Sequence, residues 1–365
     1  MNTIIKSTSS LFVISLIVFG CGKSGGGLQT EYLKKARGEA DEIILVVDST
    51  QWANDDGLGG ELRKTFMAPI LGLNQDEPMF KVSKVNPRRL NSVLKSASNM
   101  VFAMTLDSKT ADSRVLQKYF TSQALNQINR DTSIYMKIHK DEFAKGQTVM
   151  FLFSATEEQL MKKINYNRSQ IREYFESTAK EKIKEKILKS PKKDLMARLK
   201  ENHGVELTVP FGWERARDLK NFFWLRKMDA QTEQSIFIYY EPYTNRNMFN
   251  DIGAFRDGIT KKYLTDGENP DIHIQRQVMI PVFTERVSFN GNFAVEARSL
   301  WKISDSSRGG PFLSYTIVDE ENGMVYYVEG YVDSPGTKKK KLIRELEAIL
   351  STFRTPGDLS PDKES

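Results

Sequence analysis

Phe312-Leu-Ser-Tyr-Thr-Ile-Val318 and Met324-Val-Tyr-Tyr-Val-Glu-Gly-Tyr-Val332 are two runs of β-branched and aromatic residues in the second half of the chain. Such residues favour strands. Asn322-Gly323, which lies between the runs, favours the positive φ angles that a tight hairpin turn needs. The stretch therefore predicts an antiparallel hairpin. Lys339 to Phe353 follows with one apolar face, which predicts a helix packed on the same sheet.

The same mixture of strands and helices extends towards the N-terminus. Glu42-Ile-Ile-Leu-Val-Val-Asp48 predicts a buried strand, and a long helical pattern follows Thr156. The length of 365 residues exceeds what one core usually needs. We therefore predict an α+β protein of two domains, each a mainly antiparallel sheet packed with helices. The predicted domains are 42–202, which ends in the long helix, and 203–355, which starts with a strand up to Trp213.

The N-terminus has the pattern of a bacterial lipoprotein signal. Lys6 precedes the apolar run Leu11–Gly20, and Cys21 follows it directly. About ten apolar residues are too few to span a membrane, which takes ~20. The order of these features predicts a cleaved signal peptide over 1–20 and a lipid on Cys21. Val18 and Phe19 are less common before the cysteine, and an uncleaved N-terminal strand is the alternative.

Residues 21–41 are predicted to be a lipidated flexible tether, because three consecutive glycines, Gly25 to Gly27, give a chain flexible reach. Two or more acyl chains such as palmitate hold a protein stably on a membrane. We expect the cell envelope as the location, on the periplasmic face of the outer membrane, because no acidic run follows Cys21. Residues 356–365 are predicted to be a disordered tail.

Composition excludes several classes of function. Cys21 is the only cysteine, so its lipidation would exclude disulfides, a cysteine nucleophile and cysteine metal sites. The formal charge of +6 is too small to indicate a nucleic-acid partner. His139, His203 and His273 are scattered without metal-ligand spacing, so no metal and no cofactor are predicted. Asp48, with Asp55 and Asp56, fits either a cation site or a polar loop.

Catalytic motifs are weak in this sequence. Ser92–Lys95, Ser177–Lys180 and Ser190–Lys193 match the Ser-x-x-Lys spacing that places a serine and a lysine on one helical face. With so many serines and lysines, such matches arise by chance, and no Lys-Thr-Gly motif accompanies them. No catalytic residue is predicted.

Two groups of residues are candidates for contact with a ligand or partner. Lys338, Lys339, Lys340 and Lys341 place four cations at the start of a predicted helix, where positive charge is unfavourable. They are either a solvated surface or a contact for an anionic partner. Gly309 and Gly310 precede a strand and fit either a turn or a close backbone approach to a ligand.

Several motifs together resemble a known family. They are Glu77-Pro-Met-Phe80, Val209-Pro-Phe-Gly-Trp213, Lys220-Asn-Phe-Phe-Trp-Leu-Arg226, Leu300-Trp301, Gly309-Gly-Pro-Phe312 and Glu329-Gly-Tyr331. In this order they resemble the Bacteroidota lipoproteins grouped as domain of unknown function 4837, although Ser304–Arg308 is less apolar than that pattern implies. The second domain is also similar to the Mog1/PsbP-like α+β fold. The resemblance implies a lipoprotein and assigns no catalytic residue.

These observations favour a lipid-anchored envelope protein with a non-catalytic binding or assembly role. Its expected partners are the membrane, through the anchor, and an envelope protein, an anionic lipid or a cell-wall polymer. The alternative function is that of an envelope hydrolase or transferase acting on cell-wall or lipid substrates. A cleft with convergent carboxylates or a perturbed titratable group would favour the enzyme.

Overall fold

The computed structural model describes residues 33–267 and 269–360, and these form two compact units. The first unit comprises residues 33–65 and Val82–Arg168. The second comprises Phe66–Lys81 and the described residues from Ser169 onwards. The predicted α+β class is confirmed. The second unit takes in the helical residues before 203 and a short segment from within the first half of the chain.

The first unit alternates strands with helices. Short 3-10 turns lie at Pro87–Arg89 and Leu94–Ser96. The strands are β1 (Glu42–Val47), β2 (Lys81–Val85), β3 (Asn99–Thr105), β4 (Met136–Lys140) and β5 (Thr148–Ser154). The helices are α1 (Ser49–Ala53), α2 (Leu58–Phe66), α3 (Ala111–Gln117), α4 (Ser122–Arg130) and α5 (Glu157–Tyr166).

The sheet of the first unit is mixed, where the sequence pattern led us to expect a mainly antiparallel one. Its strand order is β2-β1-β3-β5-β4. β1 pairs in parallel with β3, and β3 in parallel with β5, whereas β4 is antiparallel to β5. Parallel neighbours need long crossover connections, which the intervening helices supply. β3 and β5 are buried along their whole length, as strands covered on both faces are.

One face of this sheet carries an aromatic core. Phe102 stacks on Phe151 with ring centroids 5.0 Å apart, and Phe120 packs edge-on against Phe151. Leu116 of α3 and Ile128 of α4 join the same cluster, so these two helices cover that face. The apolar faces of α3 and α4 therefore pack on this face of the sheet.

The second unit contains the larger sheet. Its helices are α6 (Arg168–Ile187), α7 (Lys193–His203), α8 (Ile252–Tyr263) and α9 (Lys340–Leu350), and 3-10 turns lie at Asn247–Asn250 and Pro356–Leu359. Its strands are β6 (Glu214–Leu219), β7 (Phe222–Met228), β8 (Glu233–Pro242), β9 (Ile274–Arg276), β10 (Phe283–Phe289), β11 (Asn292–Ile303), β12 (Gly309–Asp319) and β13 (Met324–Asp333).

This sheet is antiparallel, with strand order β10-β11-β12-β13-β8-β7-β6, and β9 pairs with β11 beyond the end of β10. One face packs against α7 and α9 in a core that includes Trp213 and Leu346. The other packs against α8 in a core that includes Trp301 and Tyr331. Because both faces are covered, the central strands β12 and β13 are buried almost throughout.

The predicted hairpin is present as β12 and β13. Their register runs from Phe312 opposite Tyr331 to Asp319 opposite Met324. Gly323 adopts φ +61° in the turn, the conformation that an Asn-Gly pair favours. Leu346 of α9 lies against Gly330 of β13, so the helix packs on the sheet as its apolar face indicated.

The structure differs from the sequence prediction near both ends of the described chain. Within the predicted tether 21–41, the Ala36 amide donates to the Lys145 carbonyl and the Arg37 amide to the Ser96 carbonyl, both at 2.8 Å. Within the predicted tail 356–365, the turn Pro356–Leu359 is capped by Thr355. Asp358 is buried there and bonds to Asn292 at 2.7 Å. The predicted signal peptide 1–20 and Cys21 lie outside the described residues.

Candidate functional site

A cleft of about 560 Å³ opens in the second unit beside α6, α9 and the strands β10 and β11. Pockets that hold small ligands have roughly 300–1,000 Å³. Its apolar lining comes from the β10 strand and from the segment around Leu71. Its charged lining residues are Glu173, Glu176, Lys180, Glu285, Glu296, Arg298, Arg344 and Glu347. The cleft therefore combines apolar walls with a dense group of charges.

An ion network joins three elements of this cleft. Lys180 Nζ of α6 lies 2.9 Å from Glu347 Oε1 of α9. Arg298 Nη2 of β11 lies 3.3 Å from the same oxygen, and Arg298 Nε lies 2.5 Å from Glu296 Oε1. Removing charges from water is costly, and pairing offsets that cost only when partners are close. The network therefore holds these four side chains in fixed positions.

The pairing decides how these groups titrate. Burial by itself would raise the pKa of Glu347, but the charges of Arg298 and Lys180 outweigh burial and lower it to about 2. Burial would lower the pKa of Lys180, yet the Glu347 carboxylate raises it above its ordinary value. Both groups are therefore charged at neutral pH. Neither is suited to exchange a proton with a ligand there.

Glu176, one helical turn before Lys180, behaves differently. Burial raises its pKa, and Glu347 and Glu173 add to that effect, while the nearby Arg344 opposes it. The Arg344 guanidinium is engaged elsewhere, since its Nη2 donates to the Met79 carbonyl at 2.8 Å and the group lies over the Phe80 ring. Glu176 therefore holds its proton to higher pH than Glu347 does.

Replacing Glu347 with glutamine is expected to change how stability depends on pH. The ionised form stabilises the fold above the ordinary pKa of 4.5, and this contribution is lost as pH falls through about 2. At neutral pH the substitution should lower the free energy of unfolding by about 3 kcal/mol. Urea unfolding at a series of pH values measures this. Wild type should weaken between pH 4.5 and 2, whereas Glu347→Gln should be flatter. An equal effect of Glu345→Gln on the same helix would contradict the assignment.

The four predicted lysines are not equivalent in the structure. Lys338 and Lys341 are exposed, but Lys339 is buried and Lys340 is half-buried. Lys339 Nζ donates to the Thr337 carbonyl at 2.5 Å, and Lys340 Nζ to the Pro78 carbonyl at 3.1 Å. The Glu77 carboxylate accepts from the backbone N–H groups of Lys339 and Lys340, which offsets the positive charge at the start of α9. Contact of all four lysines with an anionic partner stays a prediction. The ammonium groups of Lys339 and Lys340 already donate to backbone carbonyls of the chain.

Gly309 and Gly310 lie within β12 and pair with Lys302 and Trp301 of β11. A Cβ on Gly310 would lie 2.0 Å from the Val332 carbonyl oxygen, which accepts from Trp301 Nε1 at 3.2 Å. The close backbone approach at Gly310 is therefore to neighbouring strands of its own sheet. Contact with a ligand stays a prediction for this pair.

Gly310→Ala is expected to lower the free energy of unfolding by about 1–3 kcal/mol, because the backbone of β13 must move or the Trp301 hydrogen bond must break. Gly258→Ala is the control, since Gly258 is exposed within α8 and its added Cβ meets nothing within 4 Å. That change should stabilise the helix by about 0.5–1 kcal/mol. Thermal and urea unfolding of both variants measure the difference, and a Gly310→Ala variant as stable as wild type would refute the steric argument.

The first unit places a second polar cluster at the carboxyl ends of β1 and β3. Asp48 is buried and accepts hydrogen bonds from Thr50, Ser108 and Thr110. Burial would raise its pKa, but these donors lower it. Asp55 instead pairs with Arg63. All the donors to Asp48 come from the chain itself, and the carboxylate caps α1. The cluster therefore has a clear structural role, while the cation-site alternative raised from the sequence lacks convergent ligands here.

The three histidines bond to separate partners. His139 Nδ1 lies 2.7 Å from Glu142, His203 Nε2 lies 3.0 Å from Asp218, and His273 Nδ1 lies 2.9 Å from the Asp271 carbonyl. Over residues 33–267 and 269–360, no group of three or more His, Cys, Asp or Glu side chains is arranged to hold a metal ion. Within the same ranges, no helix is both long and apolar enough to cross a membrane.

Sequence reasoning missed the ion network of the cleft. Glu176 and Lys180 are spaced for one face of a helix, and Glu296 and Arg298 for one face of a strand, so each pair carried a local signal. Glu347 carried none, because its partners are more than 40 residues away along the chain. Only the packing of α6 and α9 on β11 brings the three together.

Comparison with protein families finds two matches, each to part of the chain. Residues 192–352 match the family described as domain of unknown function DUF4837, which confirms the family resemblance drawn from the sequence. Residues 36–188 match a second family, domain of unknown function DUF8532. The motif Glu77-Pro-Met-Phe80 falls in the range of this second match. A search of curated proteins gave no match.

Solved structures with a partly similar fold include the Saccharomyces cerevisiae Ran-binding protein Mog1p, at 10% identity and a TM-score of 0.29, covering 42% of this chain and 92% of Mog1p. A point mutant of Mog1 matches at 11% identity and a TM-score of 0.27, over 41% of this chain and 90% of its own. LpqN, described as involved in cell envelope biogenesis of Mycobacterium tuberculosis, matches at 11% identity and a TM-score of 0.27, over 41% of this chain and 81% of its own.

Proposed function

We propose that this chain is a lipid-anchored protein of the cell envelope that binds a partner through the cleft of its second unit, without catalysing a reaction. Cys21 carries the anchor in this proposal, and the periplasmic face of the outer membrane is the favoured location. The partner is an envelope protein or polymer within reach of the tether.

The ion network of the cleft is the observation that carries this proposal. Its charges pair with one another, so Lys180, Arg298 and Glu347 are already positioned before a ligand binds. Fixed charges beside apolar walls orient a ligand at low entropic cost, which is how binding pockets achieve specificity. Phe283 and Val287 of β10 supply the apolar wall.

The Ser-x-x-Lys motif that falls in this cleft is not arranged as a catalytic pair. The Ser177 hydroxyl donates to the Tyr174 carbonyl at 3.1 Å. Lys180 pairs with Glu347, whose charge raises the lysine pKa. A lysine that activates a serine must give up its proton, which this environment opposes. The arrangement therefore supports binding over acyl transfer.

One observation favours the alternative function of an envelope hydrolase. Burial raises the pKa of Glu176, while Arg298 and Lys180 lower that of Glu347. Two carboxyl groups whose pKa values are pushed apart are typical of a general acid and its partner. However, Glu347 is occupied by Arg298 and Lys180, so it is poorly placed to act on a substrate. Cleavage of purified cell-wall glycan by wild type, abolished by Glu176→Gln, would establish the hydrolase instead.

Site-specific photo-crosslinking in the intact envelope tests the binding role. A photoreactive residue replaces Ser177, which lines the cleft on α6, and in a control it replaces Glu185, which is exposed on α6 outside the cleft. We expect a discrete crosslinked species from position 177 that is lost when Lys180→Gln is added. Identical species from positions 177 and 185, or none from 177, would contradict a partner site in the cleft.

A further inference from the structure

β10 forms an open edge of the larger sheet. It pairs with β11 on one side, from Phe283 opposite Arg298 to Phe289 opposite Asn292, without a register shift. On its other side no strand pairs with it within the described parts of the chain, 33–267 and 269–360. An open edge presents unpaired backbone N–H and C=O groups, which can bond to another extended chain.

The opposite edge of the same sheet is protected. β6 has a bulge between Arg215 and Arg217, which interrupts its pairing with β7. Its side chains are mostly charged, and Asp218 is tied to His203 at 3.0 Å. Bulges and charges are the devices by which natural proteins prevent strands from adding to an edge. β10 has no bulge, so its free backbone edge is regular enough to pair with another strand.

An exposed apolar segment leads into β10. Val278 is 73% and Met279 is 86% exposed, and Phe283 at the start of the strand is 36% exposed. Contiguous exposed apolar residues mark interaction sites more often than isolated ones do. Phe283 also lines the cleft, so the open edge borders the cleft directly.

The charges along β10 indicate what this surface accepts. Glu285 lies directly opposite Glu296, and such like-charged neighbours repel. Arg298 bonds to Glu296 and to Glu347, but not to Glu285, which is exposed. Among residues 33–267 and 269–360, no ion-pair partner is seen for Glu285, so its carboxylate is open to a ligand on the cleft side of β10, between the apolar residues Phe283 and Val287.

We infer that an extended peptide segment adds to the sheet along β10, with a lysine or arginine opposite Glu285 and apolar residues on either side of it. The inference rests on the proposed binding function and names the partner class for the same surface. Backbone hydrogen bonds supply the pairing, and the side chains facing the cleft supply the selectivity.

A second copy of this chain fits the edge less well. Two copies related by a two-fold axis would pair β10 antiparallel to itself, with each sheet face continuing into the same face of its partner. Opposed residues would then differ by an even number, so Glu285 could never lie opposite Arg286. In every such register Glu285 would face a phenylalanine, a valine or the second copy's Glu285, so self-pairing never gives it a basic partner. A basic extended peptide supplies that partner.

Binding of synthetic peptides to the full-length chain in detergent tests this inference. The probe is a fluorescent peptide of alternating Val and Thr, long enough to span β10, with Lys in place of the central Val; a second peptide carries Glu there. We expect the Lys peptide to bind about threefold to tenfold more tightly than the Glu peptide. Glu285→Lys should reverse this preference. The same change at Glu214, exposed on the β6 edge, should leave it unaltered.

Hydrogen exchange provides the second readout. Peptide binding should slow exchange of the β10 amides that do not bond to β11, and leave the β6 amides unchanged. Absence of binding by both peptides, an unaltered preference in Glu285→Lys, or self-association through β10 would overturn the inference. If crosslinks from position 177 persist in the Glu285→Lys chain, the cleft still binds a partner and only the strand-addition inference fails. Loss of position-specific crosslinks in wild type would instead refute the proposed function.

Discussion

Glu329→Gln is expected to lower the free energy of unfolding of the second unit by about 3–5 kcal/mol. Glu329 of β13 accepts from Arg256 Nε at 2.8 Å and from Arg256 Nη2 at 2.7 Å, and both side chains are fully buried. The Tyr327 hydroxyl donates to the same carboxylate at 2.6 Å. Neutralising Glu329 leaves the buried Arg256 charge with only Asp257, 3.6 Å from its Nη1, as a counter-charge, and the lost bidentate partner is the source of the loss.

A double variant distinguishes the net contribution of the ion pair to stability from the destabilisation caused by removing one partner. Arg256→Met with Glu329→Leu replaces two charges by apolar groups of similar size. Such replacements are often neutral or stabilising in other proteins, whereas single removals are not. We therefore expect the double variant to be more stable than either single variant in urea unfolding. A double variant that loses the sum of the two single effects would show that Arg256 and Glu329 contribute independently, and it would contradict the assignment of a coupled pair.

Cys21→Ala is expected to move nearly all of the protein from the membrane fraction to the soluble fraction. Each buried methylene of an acyl chain contributes about 0.8 kcal/mol, so two or three chains hold the protein and none releases it. Ser24→Ala, three residues away in the same glycine-rich stretch, is the matched control and should leave the distribution unchanged. Fractionation after a high-salt wash measures both. A Cys21→Ala chain that stays with the membrane would remove the lipid anchor from the proposal.

Local signals predicted the parts of the fold that depend on near neighbours in sequence. The hairpin of β12 and β13 follows from Asn322-Gly323 and two strand-like runs, and β1 follows from one apolar run. The exposed strand β6 was not predicted, because its charged residues carry no apolar alternation. The strand expected up to Trp213 is instead an extended segment with isolated bridges at Glu206 and Pro210.

Local sequence signals could not predict which distant segments pair with one another. The parallel pairing of β1, β3 and β5 depends on which strands the helices bring together. An apolar run alone does not indicate whether a strand pairs parallel or antiparallel to its neighbour. The cleft depends on the same kind of information. Glu347, Lys180 and Arg298 converge only after α6 and α9 have packed, so each looked like an ordinary surface charge in the sequence.

The segment Phe66–Lys81 has a consequence for how the chain is made and how it can be cut. It lies between two parts of the first unit in sequence but belongs to the second. Its Glu77 caps α9, and its Phe80 packs edge-on against Phe175 of α6. During synthesis this segment emerges long before α9 exists, so it must wait for its partners. No single cut in the chain therefore separates the two units from each other intact. A shortened chain ending at Arg168 would carry this segment without the helices that bury it.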